Sequence, residues 1–288
     1  MLDDGRNTNR GGLVATLTTA LALVWLVLFV GEKIAGKPGL SFFVLLALVL
    51  AHGSITIGGR ALAAFAVVTM AISFLLEASS IAMGFPFGFY VHHAAMPRPL
   101  GVPLIVPPSY MVYAYLGWRV SCAILRCEEP GPSAQRLIAA PLLAGFVIPG
   151  FDLVVDAMGS TVGGGWTYAH PSGYFGVPLS NFLGWIFTSW AMIQAYALIE
   201  ALAMREPRRA SVAMRLRLLP PAIWLLTGLQ FAIDLLHRPA GTASVAGRTF
   251  LVGDIAEASL IVGLLAMVPP ALAALLAILN GPEHPARR

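Results

Sequence analysis

Apolar residues along this chain fall into long blocks, with the polar residues gathered between them. Eight blocks stand out, near residues 13–30, 41–57, 61–82, 103–125, 137–158, 179–203, 218–236 and 249–279. Each is about as long as a helix needs to cross a hydrocarbon core of ~30 Å. Backbone groups inside lipid have no water to bond, so each block is predicted to be an α-helix that satisfies them internally. The second and third blocks meet at a tight Gly58-Gly59-Arg60 turn. The last carries Pro269-Pro270 and is predicted to kink or break there, because proline lacks a donor and clashes with the preceding turn. The predicted fold class is all-α: a polytopic transmembrane helical bundle of about eight spans. It forms one integral membrane domain over residues 1–288, with short tails at 1–12 and 280–288.

Composition agrees with the pattern. The chain is 58% apolar and 11% charged, with a mean hydropathy of +0.79. A soluble domain carries roughly a quarter of its residues as charges, so a soluble globular fold is excluded. Cys122 and Cys127 are too few for a disulfide framework or a zinc pattern and read as structural. Met1 to Arg10 is polar, and the block that follows has no small-residue cleavage pattern, so it reads as a retained span.

The net charge of +4 gives direction to the spans. With the N-terminus inside, thirteen Lys and Arg fall on its side: Arg6, Arg10, Arg60, Arg119, Arg126, Arg136, Arg205, Arg208, Arg209, Arg215, Arg217, Arg287 and Arg288. Five fall on the other: Lys33, Lys37, Arg98, Arg238 and Arg248. That bias predicts both termini in the cytoplasm and the chain in the cell membrane. The arginine-rich loop from Arg205 to Arg217 then reads as an anchor, and no nucleic-acid partner is expected.

The chain also echoes itself. Gly101-Val102-Pro103-Leu104 recurs as Gly176-Val177-Pro178-Leu179, and the same offset of 75 carries Glu77 onto Asp152 and Gly84 onto Gly159. Each unit reads as helix, acid, Gly- and aromatic-rich loop, GVPL, helix. Spans three to six are therefore a candidate parallel two-helix repeat.

The most informative residues are acids within or beside the spans: Glu77, Asp152, Asp156, Asp234, Asp254 and Glu257. An ionised group at the bilayer centre costs about 2.5 kcal/mol or more, so such residues face a cavity, find a partner or stay protonated. The predicted topology places all six in the outer half. Asp152 and Asp156 share a helix face, as do Asp254 and Glu257. A shared polar cavity is the economical expectation. Its lid would be the loops at 83–102 and 159–178, which carry Pro86-Phe87-Gly88-Phe89-Tyr90, His92-His93, Gly165-Trp166-Thr167-Tyr168, His170 and Tyr174-Phe175-Gly176. Trp and Tyr suit a membrane surface. The histidines lack i, i+3 or i, i+4 spacing, and H-E-x-x-H is absent, so no metal is expected. Asn181 opens an apolar helix as a polar residue able to hold a water or cap that helix.

The run Tyr174-Phe175-Gly176-Val177-Pro178-Leu179-Ser180-Asn181-Phe182-Leu183-Gly184-Trp185 resembles the signature of the membrane-bound carotenoid biosynthesis proteins of the CruF type. Asp152-Leu153-Val154-Val155-Asp156 with Gly165-Trp166-Thr167-Tyr168, and Glu77 with Gly84-Phe85-Pro86-Phe87-Gly88-Phe89-Tyr90, are similar to the same family. The likeness spans roughly residues 61–260. The pattern departs at Ala157, where relatives often carry proline, which leaves the end of that helix open. The resemblance implies a carotenoid 1,2-hydratase, a carbon–oxygen lyase that adds water across the terminal double bond of an acyclic carotenoid end.

That chemistry needs an acid strong enough to protonate an alkene, a base for water, and aromatic faces for the tertiary cation. It needs no cofactor. Asp152 is the expected donor with Glu77 as alternative, Asp156 or Glu77 the base, and Asn181 the residue that positions water. The expected substrate-binding residues are Tyr90, Phe87, His93, Trp166, Tyr168, Tyr174, Phe175, Trp185, Asp254 and Glu257. A carotenoid or other polyprenyl lipid would enter from the bilayer, and other carotenoid-pathway enzymes are possible partners. Two alternatives stay open: a proton-coupled transporter or carrier of a lipid, and a metal-dependent membrane isoprenoid enzyme.

Overall fold

The computed structural model describes residues 4–37, 39–129, 133–203, 212–236 and 239–281. Arg205, Arg208, Arg209, His237, Arg238, Arg287 and Arg288 lie outside them, as do the side chains of Arg6 and Arg10.

Among the described residues, eight helices follow the eight apolar blocks. They are α1 (Asp4–Ala35), α2 (Ser41–Thr56), α3 (Gly59–Met83), α4 (Val106–Ile124), α5 (Gln135–Val162), α6 (Leu179–Ala203), α7 (Met214–Leu236) and α8 (Val252–Leu279). Among the described residues six are long and apolar enough to cross a membrane: α1 from Val14, α3, α5, α6, α7 and α8. Of the remaining pair, α2 is a shorter apolar helix of 16 residues. Apolar blocks locate helices well because the lipid-facing surface must be apolar whatever the bundle does inside.

The inner faces are different. The buried face of α3 runs from Ala61, Leu62 and Phe65 to a polar stretch of Thr69, Ser73, Glu77 and Ser80, and that of α6 includes Asn181, Gly184, Thr188, Met192, Tyr196 and Glu200. Leu75, Met83, Leu183 and Leu202 point outward. Small and polar residues share the inner faces with large rings such as Phe65 and Tyr196, because lipid already solvates apolar surface and leaves close packing and hydrogen bonds to join the helices.

Prolines and glycines shape the long helices. Helix α8 does not break at Pro269-Pro270. A widened π-type turn over Gly263–Met267 precedes the prolines and absorbs their missing donors. Helix α5 likewise runs through Ala157 into a π-type turn at Met158–Val162. Helix α7 is interrupted at Leu229-Gln230.

Helices α3, α4, α5 and α6 form a ring, each packed on its neighbours, with α2, α7 and α8 against α4. One end of the ring is tied by charge. Arg136 donates from Nε and Nη2 to Glu200 at 2.5 and 2.8 Å, and from Nη1 to the Cys127 carbonyl at 2.7 Å. Its guanidinium lies 5.0 Å from the Trp118 ring centre.

Short strands, which the all-α reading did not include, cap the other end. β1 (Tyr90–His92) pairs antiparallel with β2 (Trp166–Tyr168), and β3 (Thr242–Val245) forms a hairpin with β4 (Arg248–Leu251). Both expected lid loops thus meet in one ribbon. Three-residue strands are too short to be stable alone, and too short for their alternation to stand out in the sequence. The hairpin packs over the second loop: Phe250 lies against Phe175, Val245 against Gly176, and Arg248 Nη2 donates to the Ser172 carbonyl at 2.6 Å.

Candidate functional site

Three of the six acids come together at the ribbon end of the ring. Glu77 approaches from α3, and Asp152 and Asp156 from successive turns of α5, all buried. The separation of the two aspartates by four residues puts both on one helix face.

The ribbon supplies their donors. Side chains alternate along a strand, so Tyr90 and His92 of β1 share a face with Trp166 and Tyr168 of β2. The register pairs Tyr90 with Tyr168 and His92 with Trp166. The Tyr90 hydroxyl donates to Glu77 Oε2, and His92 Nε2 lies 3.3 Å from the same oxygen. Trp166 Nε1 donates to Asp156 Oδ1 at 2.8 Å, and the Tyr168 hydroxyl to Oδ2 at 2.8 Å. Val91 and Thr167, the intervening pair, face away; Thr167 meets His93 Nε2 at 2.6 Å on the exposed side.

The helices complete the set. Tyr110 of α4 donates to Glu77 Oε1 at 2.7 Å. Asn181, near the start of α6, places its Nδ2 2.8 Å from Asp152 Oδ2 and 2.6 Å from Asp156 Oδ2. The carboxyls are therefore unequally served. Glu77 is met by two phenols and an imidazole, Asp156 by an indole, a phenol and an amide, and Asp152 by the Asn181 amide.

The phenols around the carboxyls feel more than one of them. Burial first, then the charge and hydrogen bond of Glu77, then the charges of Asp152 and Asp156, push the Tyr90 hydroxyl far above the ordinary phenol range. Tyr168 is pushed up by burial, then by Asp156 and Asp152. Tyr174 is pushed up to about 12 by burial and then the same two aspartates. These phenols remain protonated donors at neutral pH.

The geometry carries the internal echo further than the letters did. Leu100-Gly101 and Phe175-Gly176, which open the two GVPL segments, both take the left-handed conformation, with φ of 52° and 85° against 49° and 97°. That conformation disfavours a side chain, yet a non-glycine occupies the first place in both copies. Tyr110 and Trp185, also 75 apart, stack on each other with ring centres 4.3 Å apart and planes 9° apart.

The expected residues divide accordingly. Glu77, Asp152, Asp156, Asn181, Tyr90, Trp166 and Tyr168 converge directly. Phe87 and Trp185 form the adjoining aromatic wall, with Phe87 6.4 Å from Tyr90 and 6.2 Å from Trp185 between ring centres. Ser80 Oγ accepts from the Phe87 amide at 2.7 Å, which fixes that ring. Tyr174 sits one layer out, donating to the Leu153 carbonyl at 3.0 Å, with Phe175 beside it.

Three acids do not join. Asp254 and Glu257 are exposed, because the face of α8 that packs inward is Ile255, Ala256 and Ser259. Asp234 pairs with Lys33 at 3.3 Å, linking α7 to α1. The single layer of six acids is thus a buried trio with three separate neighbours. His93, expected in the site, faces out, and His92 faces in. Strand alternation is the reason, and strands of three residues leave too short a pattern to show it in the sequence. Tyr110 was also missed; its only signal was its place 75 residues before Trp185. Among the described residues, no group of three His, Cys, Asp or Glu side chains gathers as metal ligands would.

A sequence model of a family described as carotenoid biosynthesis proteins matches residues 38–250, well over half of the chain. No curated protein and no solved structure matches the chain significantly.

Proposed function

The chain belongs to the carotenoid biosynthesis protein family, and from that premise we propose that it is a hydratase. It adds water across the terminal 1,2-double bond of an acyclic carotenoid end, giving a tertiary alcohol. The observation that carries the reading is the unequal hydrogen bonding of three buried carboxyls in a site lined by aromatic rings.

The donor is Asp152. Asn181 occupies one of its oxygens, and among the described residues no donor meets the other, which is where the acidic proton sits. Transfer of that proton to the less substituted alkene carbon leaves a tertiary cation. Asp156 and Glu77, each met by several donors, are placed to offset the developing charge. The faces of Tyr90, Tyr168, Trp166 and Trp185 add cation–π attraction, about 0.5–2 kcal/mol per contact. A water beside Asn181 then attacks the cation and loses a proton to Asp156. The carotenoid reaches the ring from the bilayer, since its polyene has no other solvent.

Expression in a lycopene-producing bacterium, followed by mass analysis of the pigments, tests this. A gain of one or two waters per molecule is the expected result. A gain of oxygen without two hydrogens, or no new pigment from several acyclic carotenoids, would refute it.

A further inference from the structure

His92 has a property that no other partner of the carboxyl trio shares. Tyr90 and Tyr168 are phenols that burial holds in the protonated form. The Trp166 indole and the Asn181 amide donate hydrogen bonds without ionising. An imidazole ordinarily takes up and releases protons between about pH 5 and 8. The His92 side chain is also more exposed than the carboxyl it touches, 11% against 7% for Glu77.

Four groups face it. Glu77 comes from α3, with Oε2 3.3 Å from Nε2. The Tyr90 ring on its own strand lies 5.2 Å away, and Trp166 of β2 lies 6.2 Å away, both edge-on. Arg98, from the following loop, donates to the His92 carbonyl and holds the strand in place. The imidazole is thus seated by its backbone, with one nitrogen turned to a buried carboxyl.

We propose that His92 is a positioning residue that passes protons between the carboxyl trio and water on the ribbon side, by way of Glu77. This rests on the hydration reading. Each hydration forms one C–H bond with a carboxyl's proton and one C–O bond with the oxygen of water, whose displaced proton goes to a carboxylate. The proton count closes, but the trio ends with its proton on a different oxygen from the one that gave it. An imidazolium can hand its Nε2 proton to Glu77 and regain one from water at Nδ1. The reverse steps remove a proton. Without that route the trio resets only by slow internal exchange.

The test uses full-length protein in detergent with its acyclic carotenoid, and rates measured from pH 5 to 9. His92→Gln keeps an N–H near Glu77 but cannot carry a proton. The expected result is a loss of tenfold or more at neutral pH, of the order of acid–base contributions. The pH profile of the rate should change shape, and added imidazole should restore part of the rate. His93→Gln, one residue away on the opposite face, should behave as wild type. Wild-type rate and profile in His92→Gln would overturn the proposal. So would a slow variant with an unchanged profile and no imidazole rescue, which marks a merely structural role. Either outcome leaves hydration standing. A wild-type protein that forms no water-added product refutes the hydration reading itself, and this proposal with it.

Discussion

The sharpest prediction concerns Asp152→Asn. The change is isosteric and leaves the helix face intact. The Asn181 amide, 2.8 Å from Asp152 Oδ2, can donate to the new amide oxygen instead. No other described side chain or backbone group donates to Asp152, so no existing donor loses its acceptor, and the folding cost is limited to the new amide's own N–H groups, which take the place of the acid's O–H. What is lost is the transferable proton. A positioned general acid contributes typically 10²–10⁴-fold, or about 3–5 kcal/mol of barrier at 1.36 kcal/mol per tenfold. The assay is pigment mass analysis in a carotenoid-producing host, with membrane-inserted protein quantified alongside. Water-added product should fall at least a hundredfold at unchanged protein level. Asp156→Asn offers the contrast. Its single amide oxygen can still serve Tyr168 and Asn181, which both meet Oδ2, but the Trp166 indole at Oδ1 then faces an N–H in place of an acceptor. One buried unsatisfied donor alone costs about 1–3 kcal/mol, so protein level and thermal stability should fall with activity. Full activity in Asp152→Asn would refute its role as the acid. Equal folding losses in the two variants would refute the argument from unequal donors.

Gly184→Ala should destabilise by about 1–3 kcal/mol, the usual cost of overpacking. Its Cβ would sit 2.5 Å from Phe87 Cδ1 and 2.9 Å from the Phe87 backbone, and the lowered melting temperature in detergent should come with reduced activity. Glu200→Gln should cost about 3–5 kcal/mol, because it leaves the buried Arg136 guanidinium uncompensated. The activity of the protein that still folds should be spared, since 19 residues of α6 at 1.5 Å each set Glu200 roughly 28 Å from Asn181. Cys127 should be alkylated by a maleimide at pH 7.5 well before Cys122. The Cys127 thiol is held down to about 7, first by the hydrogen bond from Cys122 and then, against burial, by Arg136 and Arg119. It is therefore largely thiolate above that pH, and mass mapping of the labelled peptide would expose the opposite order.

The sequence alone determined the number and place of the helices. Lipid leaves the backbone no alternative to internal hydrogen bonds and requires apolar outer faces, so a one-dimensional pattern suffices. It also pointed to the chemistry, because Glu77, Asp152 and Asp156 are costly in a membrane and persist only with partners. Local pattern went no further. Asp254 and Glu257 have the same helical spacing logic as Asp152 and Asp156, yet only the way α8 packs turns them outward. Asp234 looked like a seventh-span member of the same layer until α1 brought Lys33 beside it. Tyr110 reaches Glu77 across 33 residues of chain, and Asn181 reaches Asp152 across 29; such distances leave no local mark. The choice of His92 over His93 turned on two three-residue strands that exist only because they find each other. Periodicity shows which face of an element is apolar. Which polar side chains converge is decided by the relative rotation of separate elements, and that is settled only when the ring of α3, α4, α5 and α6 closes beneath the ribbon.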